Sequence, residues 1–129
     1  MEIVGLDHIQ LAMPVGGEAA AREFYGRLLG LAEVAKPAAL AARGGCWFAG
    51  PGMQLHLGVE TPFAPARKAH PAFLVADLTV CERALMDAGI TTTPDTTVAG
   101  VRRFYAADPF GNRLEFIQAG DGFSQRSYP

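Results

Sequence analysis

Apolar positions along the chain follow two periods. From Val4 to Met13 they alternate with polar ones and include Ile, Val and Leu, the period of two expected of a half-buried strand. Pro14 and the Gly16-Gly17 pair end it. Over Glu18 to Leu29 the period changes. Ala20, Phe24 and Leu28, with Ala21, Tyr25 and Leu29, recur at helical spacing, and Gly30 supplies a C-terminal stop. Leu31–Lys36 and Cys46–Ala49 read as short strands. Between them the Ala- and Gly-rich stretch from Pro37 to Gly45 reads as a loop. Gly50-Pro51-Gly52 marks a turn, and Met53–Glu60 alternates again as a strand. Thr61–Ala69 carries prolines and a basic pair and reads as an exposed connection.

The order then starts again. His70–Ala76 is a strand, Leu78–Ala88 a helix with Asp77 as its N-cap, and Gly89 its stop. Ile90–Thr93 is short and extended, and Thr96–Gly100 a loop. Val101–Ala106 and Arg113–Gln118 are strands around the turn Asp108-Pro109-Phe110-Gly111-Asn112. The pattern predicts an α+β domain over residues 1–129. Module 1 covers about 1–60, module 2 about 69–118, and residues 119–129 form a polar tail. Laid on each other, the halves superpose His8 on His70, 62 positions apart, and His56 on Glu115, 59 apart; the helix stops Gly30 and Gly89 are also 59 apart.

There are three histidines, and each falls within a predicted strand. Side chains on a strand alternate between faces. His8 therefore shares a face with Gln10, His56 with Gln54 and Gly58, His70 with Ala72, and Glu115 with Arg113 and Ile117. The opposite positions, Leu11, Leu55, Leu57, Phe73, Leu114 and Phe116 among them, are uniformly apolar and suit packing against helices. One sheet face is thus greasy, and the more polar one carries every histidine. Asp7 falls on the face away from His8, which argues against a direct dyad.

Composition narrows the function classes. With 129 residues, half of them hydrophobic and 19% charged, the chain has enough core to fold without disulfides. A net charge of −2 makes nucleic acid an unexpected partner. Two cysteines, Cys46 and Cys81, make no disulfide framework, so a reduced cytoplasm is the expected setting. No apolar run has the length of a membrane span, and the N-terminus does not read as a signal peptide.

The segments LDHIQLAMP, REFYGRLLGL, AHPAFLVADL and DPFGNRLEFIQ together resemble the vicinal oxygen chelate superfamily, which includes glyoxalase I, fosfomycin- and bleomycin-resistance proteins and extradiol dioxygenases. The resemblance spans about Met1 to Gln118. It implies two βαβββ modules whose strands form a cupped mixed sheet around one divalent metal ion (Fe, Zn, Mn or Ni). It also implies a homodimer and a small-molecule substrate with vicinal oxygens. Carried over, the ligand positions are His8, His70 and Glu115. The remaining family position is a glutamate in glyoxalase I and is His56 here. The chain also lacks the segments that bind glutathione in that enzyme, so a glutathione-dependent glyoxalase I is not expected. A metal-dependent lyase, isomerase or dioxygenase is the leading expectation. A metal-free, ligand-binding dimer like the bleomycin-resistance members is the alternative.

Two imidazoles and a carboxylate suit such an ion, because they leave positions open to substrate oxygens. His56 is open to three roles: fourth ligand, substrate contact or support for the ligands. With Glu115 it is a candidate catalytic group. Gln10 and Gln54 share the polar face and are candidate substrate contacts, as is Tyr105 if it faces inward. Trp47 and Phe48 lie on one strand, so one of them faces the hollow. Arg67, in the basic pair Arg67-Lys68, is a candidate clamp for an anionic substrate, and the Arg102-Arg103 pair is read the same way.

Overall fold

The computed structural model describes residues 1–123. It divides into two compact units, Met1–Ala66 and a second beginning at Arg67. In the first unit the elements are β1 (Ile9–Met13), α1 (Glu18–Ala21, continued by a π-helix over Arg22–Leu28), β2 (Ala32–Val34), α2 (Ala38–Ala41), β3 (Cys46–Gly50) and β4 (Met53–Val59). In the second they are β5 (Ala72–Val75), α3 (Leu78–Asp87), β6 (Thr93–Asp95), β7 (Arg103–Ala107) and β8 (Arg113–Gln118). Each unit holds one four-stranded mixed sheet. The orders are β1-β4-β3-β2 and β5-β8-β7-β6, the first pair of each being parallel and the others antiparallel. The sequence repeat is therefore a repeat of topology, and the α+β fold is as expected.

In the first unit the apolar face of the sheet packs under the helix. Leu11, Met13, Phe48, Leu55 and Leu57 are buried with Phe24 and Tyr25 of the helical segment. The Tyr25 and Phe48 rings lie 5.9 Å apart. In the second unit Phe104, Leu114 and Phe116 are buried together with Leu85 of α3, and the Phe104 and Phe116 rings stack at 5.0 Å. Each such side chain contributes about 1.5–3 kcal/mol on burial. Asp77 caps α3 as read from the sequence, its Oδ1 accepting from the N–H of Val80 at 3.0 Å.

Four local readings change. The strand expected from Val4 starts only at Ile9, because β1 is the outermost strand of its sheet and the residues before it have no paired neighbour. Met1, Ile3, Val4 and Leu6 are exposed. The strand expected from His70 starts at Ala72. The expected loop over Pro37–Gly45 contains the short helix α2, in keeping with its alanines. The helix over Glu18–Leu29 is α-helical for its first turn only. It then widens, the N–H of Leu29 reaching the carbonyl of Phe24 five residues back at 2.9 Å. The tail reading lies largely outside the described residues. Among those residues, no helix is long and apolar enough to cross a membrane.

The turn Asp108–Asn112 owes its sequence to one carboxylate. Asp108 Oδ1 accepts from the N–H groups of Phe110 and Asn112, and Oδ2 from the Asn112 amide, each at 2.9 Å. Gly111 takes φ 91°, which a side chain would oppose. The turn delivers the chain into β8 at a defined register.

Candidate functional site

Strand register makes the repeat exact in side-chain terms. In the first unit Gln10 of β1 pairs with His56 of β4, which pairs with Trp47 of β3. In the second, Ala72 of β5 pairs with Glu115 of β8, which pairs with Tyr105 of β7. Residues paired across a sheet share a face. His56 and Glu115 are thus counterparts, as are Trp47 and Tyr105. His8 and His70 each stand two residues before the first member of the row. Trp47 and Tyr105 lie on the polar faces, while Phe48 and Phe104 are in the cores.

In the second unit two ligand-type atoms come close. His70 Nε2 lies 3.7 Å from Glu115 Oε1. That is too long for a hydrogen bond, and two metal–ligand bonds of about 2.1 Å reach across it. His70 Nδ1 donates to the carbonyl of Lys68 at 2.8 Å, which leaves the lone pair of the neutral ring on Nε2, on the side of Glu115. Glu115 is buried, and its Oε1 also accepts from Arg103 Nη1 at 2.9 Å. Arg103 Nη2 continues to Asp95 at 3.2 Å. The Tyr105 and His70 rings meet edge to face, 5.5 Å between centroids. Burial, and then a hydrogen bond to Glu115, push the Tyr105 hydroxyl above its ordinary pKa, so it stays protonated.

The first unit carries a different arrangement at the matching positions. The His56 ring is stacked on Trp47 at 3.8 Å and on His8 at 4.1 Å. His56 is buried, and its Nε2 donates to Gln54 Oε1 at 3.0 Å. Burial, with a contribution from His8, lowers its pKa from 6.5. His8 Nδ1 donates to Asp7 Oδ1 at 2.8 Å, which leaves its lone pair on Nε2, as in His70. This corrects the expectation that Asp7 faces away. The alternation rule does not hold for residues 7 and 8, because they precede the paired part of β1. Gln10 lies over Gly58, where a Cβ would stand 2.4 Å from its Nε2. It lines a hollow of about 220 Å³ with Trp47, Lys36 and Arg43.

Arg67 lines a hollow of about 440 Å³ in the second unit, together with Tyr105 and Arg113. Among the described residues no three His, Cys, Asp or Glu side chains gather as a metal cluster. The pairs that do form are His70 with Glu115, and His8 with His56 and Asp7. Arg103 was the member that sequence reasoning left vague. The Arg102-Arg103 dipeptide signals that one arginine faces the polar side, but only the register shows which. Arg102 instead pairs with Asp121 at 2.8 Å.

The family model of the glyoxalase/bleomycin resistance protein/dioxygenase superfamily matches residues 5–116. No curated protein matches the chain. Among solved structures, the chain is 47% identical to a protein of Bacillus anthracis assigned to the glyoxalase family; the match covers 92% of this chain and 97% of that one, with a TM-score of 0.88. An integron cassette protein of V. cholerae is 25% identical over 92% and 98% of the two chains, TM-score 0.67. A genomically encoded fosfomycin resistance protein of Listeria monocytogenes shares the fold at 17% identity over 98% and 100%, TM-score 0.75. With its repeated βαβββ register and a match over most of its length, the chain belongs to the glyoxalase/bleomycin resistance protein/dioxygenase superfamily.

Proposed function

We propose that the protein is a metal-dependent enzyme acting on a small substrate with vicinal oxygens, and that His8, His70 and Glu115 hold its divalent ion. The observation that carries this reading is the shared tautomer of the two counterpart histidines. Each gives its Nδ1 proton to an oxygen, of Asp7 or of Lys68, and so presents Nε2 as a lone pair. An oxygen acceptor behind the ring is the usual support of a metal-binding imidazole. Glu115, 3.7 Å from His70 Nε2, completes a nitrogen and oxygen donor set suited to Fe, Zn, Mn or Ni.

When bound, such an ion supplies Lewis acidity to two adjacent substrate oxygens. The chain's own groups do the rest. Arg103 holds Glu115 in one orientation, and Tyr105 presents a protonated hydroxyl beside it. His56, flat between Trp47 and His8, supports the His8 ring or contacts substrate. The reaction is a lyase, isomerase or dioxygenase step rather than glutathione-dependent isomerisation. A homodimer in the cytoplasm fits the two sheets with open outer strands and the free thiols of Cys46 and Cys81.

The test is metal analysis of protein purified without a histidine tag. About one equivalent of a divalent ion per chain, lost in His70→Ala and in Glu115→Gln, is expected. Folded protein that neither retains nor takes up any of these ions would sink the reading. One observation favours the alternative of a metal-free ligand binder: Arg103 already compensates the charge of Glu115. That reading predicts full folding and small-molecule binding with no dependence on added metal.

A further inference from the structure

Beside the His70–Glu115 pair the second unit has a hollow whose chemistry is cationic. It holds about 440 Å³ and is lined by Arg67, Arg113, Tyr105, Thr91 and Thr93 among others, with no Asp or Glu among its described lining residues. Among the described residues, several arginines are spoken for: Arg22 by Glu33, Arg102 by Asp121, and Arg103 by Asp95 and Glu115. With the described residues Arg67 and Arg113 make no such ion pair. The Arg113 guanidinium lies over the Tyr105 ring, its carbon 4.0 Å from the centroid, a contact that orients the group while leaving its N–H fork free. Register puts Thr93, Tyr105, Arg113 and Glu115 on one face: Thr93 pairs with Tyr105, Tyr105 with Glu115, and Ala107 with Arg113. Tyr105 is the wall between the two places. Its ring meets that of His70 edge to face, and the Arg113 guanidinium lies over it.

We infer that this hollow is a binding site for an oxyanion, a carboxylate or phosphate group, held by the Arg67 and Arg113 guanidiniums with the Thr91 and Thr93 hydroxyls. Unpaired guanidiniums beside hydroxyl donors match the paired oxygens of such a group, and the absence of lining carboxylates leaves the positive charge uncompensated. The inference rests on the proposed function in one respect. If His70 and Glu115 bind the reacting end of the substrate, the anionic group is its other end, and the substrate is a small acid or phosphate ester.

The experiment uses the full chain stripped of divalent ions by a chelating resin, so the result does not depend on metal binding by His70 and Glu115. Phenylacetate, phenyl phosphate and the neutral phenylacetamide are titrated in turn and followed by amide NMR shifts. Saturable binding of at least one of the two anions is expected, weakening as sodium chloride is added, with none by phenylacetamide. The preferred anion identifies the oxyanion class. Arg113→Met and Arg67→Ala should each weaken binding roughly tenfold, and Arg113→Lys should recover part of the loss. Arg67 lies in an exposed connection, so Arg67→Ala keeps the test open if Arg113→Met fails to fold. Equal binding of phenylacetamide, unchanged affinity in Arg67→Ala, or no saturation by either anion overturns the inference. Failure of metal uptake with intact anion binding would instead count against the proposed reaction alone.

Discussion

Arg103 donates from Nη1 to Glu115 Oε1 over 2.9 Å, and both side chains are almost wholly withdrawn from water, at 12% and 5% exposure. A buried carboxylate of this kind is tolerable only when a cation or an ion compensates it. The pair therefore links stability to the candidate site. Removing the cation alone, as in Arg103→Met, should cost about 3–5 kcal/mol in urea unfolding. Glu115→Gln should cost less, because Arg103 retains Asp95. Equal, small losses in both variants would mean the pair is not buried in solution.

Gly45 tests the packing around the first sheet. It sits at φ 82°, and a Cβ there would lie 2.2 Å from the carbonyl oxygen of Leu57. Gly45→Ala should therefore destabilise by about 2 kcal/mol or more, the clash adding to the backbone strain. Gly52, at φ 68° with nothing within 4 Å, is the control. Gly52→Ala should cost only about 1–2 kcal/mol.

Asp108 should matter more than its place in a surface turn implies. Its carboxylate accepts from the N–H of Phe110 and twice from buried Asn112. Asp108→Ala leaves those donors unmatched and should cost about 2–4 kcal/mol by thermal or urea unfolding. A loss under 0.5 kcal/mol, within the usual surface range, would contradict this account of the turn.

Acid should weaken the contact of Glu18 with Gly45. The backbone N–H of Gly45 donates to Glu18 Oε1 at 3.0 Å and holds its carboxyl below the ordinary 4.5. A carboxyl whose pKa is depressed in the folded state stabilises fully above its unfolded pKa, and that stability is lost as pH falls through the folded value. Glu18→Gln should be less stable than the parent near neutrality, and the gap should shrink as pH falls below the ordinary 4.5 and through the lowered folded value. A gap that stays constant with pH would exclude the carboxylate as its source.

His56 separates the metal roles within the proposed function. Its ring is sandwiched, and its Nε2 is engaged by Gln54. His56→Ala should weaken divalent-ion binding less than His8→Ala or His70→Ala, as read by isothermal calorimetry. Turnover of methylglyoxal with glutathione should be negligible. Robust turnover would show that the departure from glutamate at this position has been misread.

Much of this was legible in local pattern. A period of two marked β4 and β8 almost to the residue, and Asp77 and Gly89 bracketed α3. These are short-range properties, set by which side chains must leave water and which backbone groups need a partner. The match of His8 with His70, and of His56 with Glu115, was legible too, because the repeat carries the register with it.

What lay beyond the sequence was whatever depends on residues distant along the chain. Whether Trp47 or Phe48 faces the polar side is decided by pairing with His56, nine positions on. That Arg103 rather than Arg102 reaches Glu115 follows from the register of β7 against β8. β1 starts late because the residues before it have no paired neighbour, and with that the alternation rule fails for Asp7 and His8. Alternation states that side chains take opposite faces. Only hydrogen-bonded partners and the packing of one face under a helix decide which face is which.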